Sequence, residues 1–96
     1  MIDEIIEVIK KERIKQTKKW SLLHDDGHTD GELTDLACYY ALADTNDAEN
    51  LYPISWNYEP RKRDRKSRLE QLVIAAALII AEIERLERKE TLIKGY

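Results

Sequence analysis

Ile2, Ile5, Ile6 and Ile9 stand at i, i+3, i+4 and i+7 with Glu and Lys between them, the spacing that gathers apolar side chains on one face of a helix. This predicts a first helix over about residues 2–19. From Trp20 to Thr29 the period is lost, and the sequence Asp25-Asp26-Gly27 and then Gly31 signal a turn, so residues 20–29 are read as a first loop. The period returns with Leu33, Leu36, Ala37, Tyr40 and Ala41, a second helix over about 30–43. Thr29 and Glu32 fit a capping box at its start, in which hydroxyl and carboxylate each satisfy a backbone N–H. Residues 44–66 carry no sustained period and include Pro53 and Pro60, which makes a second loop longer than compact domains usually keep without a use. Its aromatics Tyr52, Trp56 and Tyr58 are expected to pack on something. Ser67 and Glu70 repeat the capping-box spacing before a third helix over about 67–93. Its apolar face holds Leu69, Leu72, Val73, Ala76, Ile79, Ile80, Ile83 and Leu86, widened by Ala75 and Leu78.

These elements predict an all-α fold, a three-helix chain that assembles into an oligomeric helical bundle. A helix apolar on most sides has neighbours on most sides, and two shorter helices of one chain cannot supply them all; a homo-oligomer centred on the third helix is therefore expected. At 96 residues the chain is a single domain with a modest core, for which a partner subunit is a natural help. Composition agrees: 3 Gly, 2 Pro and no Phe, with Leu, Ile, Ala, Glu, Lys and Arg dominant, favour helix and leave no strand expected. The longest apolar run, Leu72 to Ala81, is about half of the roughly 20 residues a bilayer span needs, so it reads as a buried helix and no membrane partner is expected. A single cysteine, Cys38, excludes an internal disulfide, and no signal-peptide order opens the sequence, which points to a reducing, cytoplasmic setting. Inside the second helix, beside apolar residues, Cys38 is expected to be a buried, unreactive thiol.

Net charge is −3, which argues against bulk or sequence-specific nucleic-acid binding, but the charge is segregated: residues 60–68 hold six basic groups and one acid. Trp56 and Tyr58 precede Arg61, Lys62, Arg63, Arg65, Lys66 and Arg68. Aromatic faces stack on bases and Arg forks bind phosphates bidentately, so this stretch suits a nucleotide. The plainer account is a solvated basic turn beside core-packing aromatics. Basic groups ahead of a helix oppose its dipole, and an anion bound there removes the conflict, which favours a ligand. A second cluster, His24, Asp25, Asp26, His28, Glu32 and Asp35, brings imidazoles and carboxylates together and admits a metal; its plainer account is capping of free N–H groups at the second helix. Glu32 and Asp35, three apart, would project from one helical face toward a shared cation.

The stretches Glu12-Arg13-Ile14-Lys15-Gln16 with Lys19-Trp20, His24-Asp25-Asp26-Gly27-His28-Thr29-Asp30-Gly31-Glu32-Leu33, Tyr39-Tyr40-Ala41, Asp64-Arg65-Lys66 and Ala75 through Leu86 resemble small helical proteins frequent in bacteriophages and prophages. These look in turn like shortened relatives of the MazG-type all-α nucleoside-triphosphate pyrophosphatases, whose family implies oligomeric bundles and a magnesium site of two acidic pairs on adjacent helices. Glu32 and Asp35 match the first pair. The second pair is incomplete, since Glu70 is followed at i+3 by Val73 and Glu82 is the only other acid flanked by core positions on that helix. Two carboxylates hold fewer cations than four, and triphosphate hydrolysis depends on those cations. The function expected from all of this is a phage-type protein that sequesters a nucleotide without turnover and without a cofactor, in the cytoplasm of an infected bacterium. Its nucleotide site is expected to include Trp20, His24, Asp25, His28, Tyr39, Trp56, Tyr58, Arg61, Arg63 and Arg65. Two other readings stay open: a magnesium- or manganese-dependent pyrophosphatase with Glu32, Asp35 and Glu82 as metal ligands, and a protein inhibitor of a host defence enzyme, with the aromatic loop as epitope.

Overall fold

A computed structural model describes residues 1–19, 27, 29, 31–45 and 60–94, with only the backbone of 60, 61 and 91–94. Four helices occupy them: α1 (Ile2–Lys19), α2 (Glu32–Ala41), α3 (Pro60–Asp64) and α4 (Arg68–Lys94), with no strand among the described residues. The all-α reading and the extents of the three long helices hold, to within two residues at each end. The reading of 44–66 as loop throughout does not, because α3 lies inside it. Pro60 opens that turn, where its missing N–H costs no hydrogen bond and its fixed φ suits a helix. Five residues are too few to show an apolar period, so the pattern alone passes over them.

The start of α2 also differs from the capping box. Its N-cap is Gly31, in the left-handed region at φ 84°, and no side chain caps it. The Gly31 carbonyl accepts the first helical bond from the Asp35 N–H at 2.9 Å. A Cβ there would meet no atom within 4 Å, so glycine is required by backbone angle and not by space. Thr29, two positions earlier, lies exposed. At α4 the Ser67 half of the expected box is present: Ser67 Oγ accepts the Glu70 N–H at 3.1 Å.

Leu33, Leu36, Ala37, Tyr39 and Tyr40 of α2 bury against Ala75, Leu78 and Ala81 of α4. The face expected on α2 is the one buried. On α4 it is Ala75 and Leu78, which widen the expected apolar face, that bury together with Ala81. Small Ala75 and Ala81 let α2 lie close, whereas the large residues Leu69, Leu72, Ile79, Ile80, Ile83 and Leu86 remain exposed. Helix α1 lies against another side of α4, its Lys15 lining one groove with Lys66 and its Ile6 and Ile9 lining another with Ile80 and Glu84. Its buried residues are polar, Arg13 and Gln16, while Ile2, Ile5 and Ile6 are at least half exposed. Arg13 Nε donates to Glu84 Oε1 at 2.6 Å and ties the two helices together. Ala77 of α4 has no accessible surface at all. Cys38 is half-buried, less enclosed than expected, because α2 has one packed face and Cys38 stands at its margin.

Candidate functional site

Helix α1 ends in Lys15, Lys18 and Lys19, well placed for the negative end of a helix dipole. Helix α3 and the residues after it add Arg61, Lys62, Arg63, Arg65, Lys66 and Arg68. Lys19 at the end of α1 has Lys62 of α3 and Lys66 as neighbours, so two basic segments far apart in sequence meet at one corner. Lys66 and Lys15 line a common groove of about 350 Å³ with Lys11, Glu12 and Glu70. The Lys19 amine is in hydrogen-bonding contact with that of Lys62.

That contact has an electrostatic consequence. The Lys19 ammonium is pushed below its ordinary 10.5, first by the hydrogen bond with Lys62, then by loss of solvent and by repulsion from Lys62, Lys15 and Lys66. A cluster of like charges is stabilised by an anion that fills the space between them, and one or more phosphate oxygens suit the geometry of several converging ammonium groups.

Arg63 makes the corner rigid. Its side chain is buried, with the guanidinium carbon 4.0 Å from the centre of the Tyr39 ring. Its Nη1 donates to the Tyr39 carbonyl at 3.2 Å and its Nε to Asp64 Oδ1 at 2.9 Å. The Arg63 carbonyl in turn accepts from buried Gln71 Nε2 at 3.1 Å. Helix α3 is thereby fastened to the end of α2 and the start of α4.

Of the residues expected in a nucleotide site, Tyr39 is a core residue stacked under Arg63, and Arg63 is the brace just described. Arg65 is exposed. Arg61 lies on α3 with only its backbone described, and Trp20, His24, Asp25, His28, Trp56 and Tyr58 lie outside the described residues. Glu32, half-buried, and Asp35, exposed, sit in the first turn of α2. Glu82 accepts from Arg85 through Nη2 at 2.6 Å and Nε at 2.7 Å, an ion pair largely removed from solvent. No group of three His, Cys, Asp or Glu side chains gathers among the described residues.

Sequence reasoning passed over Lys15 and Lys19. Their signal was present, as basic residues closing a helix, but which helix end meets which is a property of the packing. Among the described residues no helix is long and apolar enough to cross a membrane. The chain matches no protein-family model, no curated protein and no solved structure.

Proposed function

We propose that the protein binds a nucleotide through its phosphates at the corner where α1 meets α3, and holds it without turnover so that it is sequestered. The observation that carries this reading is the gathering of Lys62, Lys15 and Lys66 near Lys19, beside a groove in which Lys11, Lys15 and Lys66 outnumber Glu12 and Glu70. Like charges brought together on a braced scaffold cost stability, and a phosphate ligand offsets that cost. Trp56 supplies the stacking face for the base, and Arg65 a fork for phosphate. Sequestration in the cytoplasm of an infected bacterium, against a nucleotide signal of host defence, is the setting suggested by the phage-protein resemblance. Hydrolysis assisted by magnesium or manganese would call on Glu32, Asp35 and Glu82, and the last is engaged with Arg85. Self-association through α4 belongs to the same reading, supported by the exposure of Leu72, Ile79, Ile80 and Ile83.

A nucleotide panel with and without magnesium or manganese tests the reading. Depletion from solution with intact release on denaturation is expected. A hydrolysed product makes the protein an enzyme, and neither outcome for any nucleotide removes the proposal in favour of a protein target.

Two further results are expected. Trp56→Ala weakens nucleotide binding by about tenfold or more, since stacking of a base on an aromatic contributes roughly 1–3 kcal/mol. Arg65→Lys keeps the charge but loses the fork, so a substantial affinity loss there marks bidentate contact. Equal affinities for wild type and both variants in isothermal titration would take the aromatic and the fork out of the site. The second result concerns Lys19. A bound phosphate favours its protonated form, so ligand raises its titration midpoint toward 10.5. By linkage, affinity is present below the Lys19 midpoint and falls as pH rises through it. Nitrogen-detected NMR of the lysine amines reads the midpoint directly, and no movement on adding pyrophosphate argues against phosphate at this corner.

A further inference from the structure

The large apolar residues left exposed on α4 are not scattered. Leu69, Leu72, Ala76, Ile79, Ile83 and Leu86 follow at intervals of three, four, three, four and three, the repeat by which one helix packs along another as a coiled coil. Leu69 is 73% exposed, Ile79 50% and Ile83 51%, and Ala76 is half-buried. Helices α1 and α2 occupy two other sides of α4, so this seam forms a third side that the described residues leave uncovered.

The seam is also its own complement. Its intervals read the same from either end, so a second copy running in the opposite direction sets Leu69 against Leu86, Leu72 against Ile83 and Ala76 against Ile79, each layer occurring twice about a two-fold axis. The small Ala76 faces the β-branched Ile79 at the centre, where the helices come closest. Charge distinguishes the two possible directions. Residues 60–68 carry six bases and one acid, whereas residues 82–90 carry four acids and three bases. Parallel pairing would set two strongly basic ends side by side; antiparallel pairing sets each against the end bearing exposed Glu87 and Glu90, with Lys66 flanking Glu87 of the partner subunit.

We propose that the occupant of this face is a second copy of the chain, with α4 pairing antiparallel to α4 in the register Leu69 on Leu86. The proposal rests on self-association through α4, and the experiment separates the two. Light scattering should give twice the chain mass of 11.3 kDa at micromolar concentration. In a Cys38→Ala background, Leu69→Cys and Leu86→Cys chains mixed together should be joined by a short bis-maleimide at least tenfold faster than either alone. In the antiparallel register each introduced thiol lies about 25 Å from its own copy across the dimer, since seventeen residues of helix rise by about 1.5 Å each. If Leu69→Cys alone is joined as fast as the mixture, self-association stands and the antiparallel register is overturned. A mass of 11.3 kDa for the unmodified protein overturns both. Ile79→Glu, at a half-exposed position, should give that monomer mass with unchanged helical circular dichroism, and a dimer that survives it refutes the seam.

Discussion

Arg63→Ala should lower the stability of the protein by about 2–4 kcal/mol in chemical denaturation, out of the roughly 5–15 kcal/mol typical of a small domain. The substitution removes a cation over the Tyr39 ring, worth about 0.5–2 kcal/mol, and a charged hydrogen bond to the buried Tyr39 carbonyl, worth about 1.5–3 kcal/mol, and these overlap. Arg63→Met should cost less than Arg63→Ala. The methionine keeps the stem over the ring, and the expense of holding a buried charge disappears with the charge. Arg63→Lys should fall between wild type and alanine, since one ammonium cannot reach the Tyr39 carbonyl and Asp64 with fork geometry. A loss below about 0.5 kcal/mol for alanine, the range of an ordinary surface change, would mean that Arg63 braces nothing.

The second large effect comes from two neighbours in sequence that face opposite ways. Leu78 is 2% exposed and sits among Leu33, Leu36 and Ala37, so Leu78→Ala should cost about 2–5 kcal/mol, lost burial and residual cavity together. That cost should not depend on protein concentration. Ile79 is 50% exposed, and Ile79→Ala should change the stability of the isolated chain by only about 0.5 kcal/mol or less. If the chain pairs through α4, the Ile79→Ala penalty grows as protein concentration rises, because association stabilises the folded state by mass action. Melting curves over a hundredfold range of concentration distinguish these cases. Equal penalties for Leu78→Ala and Ile79→Ala at every concentration would contradict the burial described for α4.

Periodicity made the three long helices legible, and it marked more apolar surface on α4 than the other described helices cover. Two apolar faces share that helix. A pattern of large residues points to Leu72, Ile79 and Ile83, whereas α2 packs where Ala75, Leu78 and Ala81 permit close approach. Size marks the face able to bury most area, but nothing in the one-dimensional pattern says which neighbour belongs to the same chain. The corner of lysines was half legible. The charge of residues 60–68 was plain, but Lys15 and Lys19 joined it only through the tertiary packing of α1. Arg63 illustrates a third limit: among six basic residues of similar exposure propensity, the one over Tyr39 is singled out by tertiary contacts alone.

The attachment of α1 has a consequence for how the protein breathes. Its buried residues are Arg13 and Gln16, both in its second half, where the Arg13–Glu84 pair also lies, while Ile2, Ile5 and Ile6 are at least half exposed. Amides of the first two turns should therefore exchange with deuterium through local fraying, at an opening free energy far below that of the α2–α4 core. Amides around Ala75, Leu78 and Ala81 should exchange only when the whole domain opens. Helix α3, a single turn pinned by the Arg63 guanidinium and the Gln71 side chain, should open on an intermediate scale of its own. A ligand on Lys19 and Lys62 would slow exchange in α3 and the last turn of α1 together, joining in one protection pattern two segments separated by forty residues of chain.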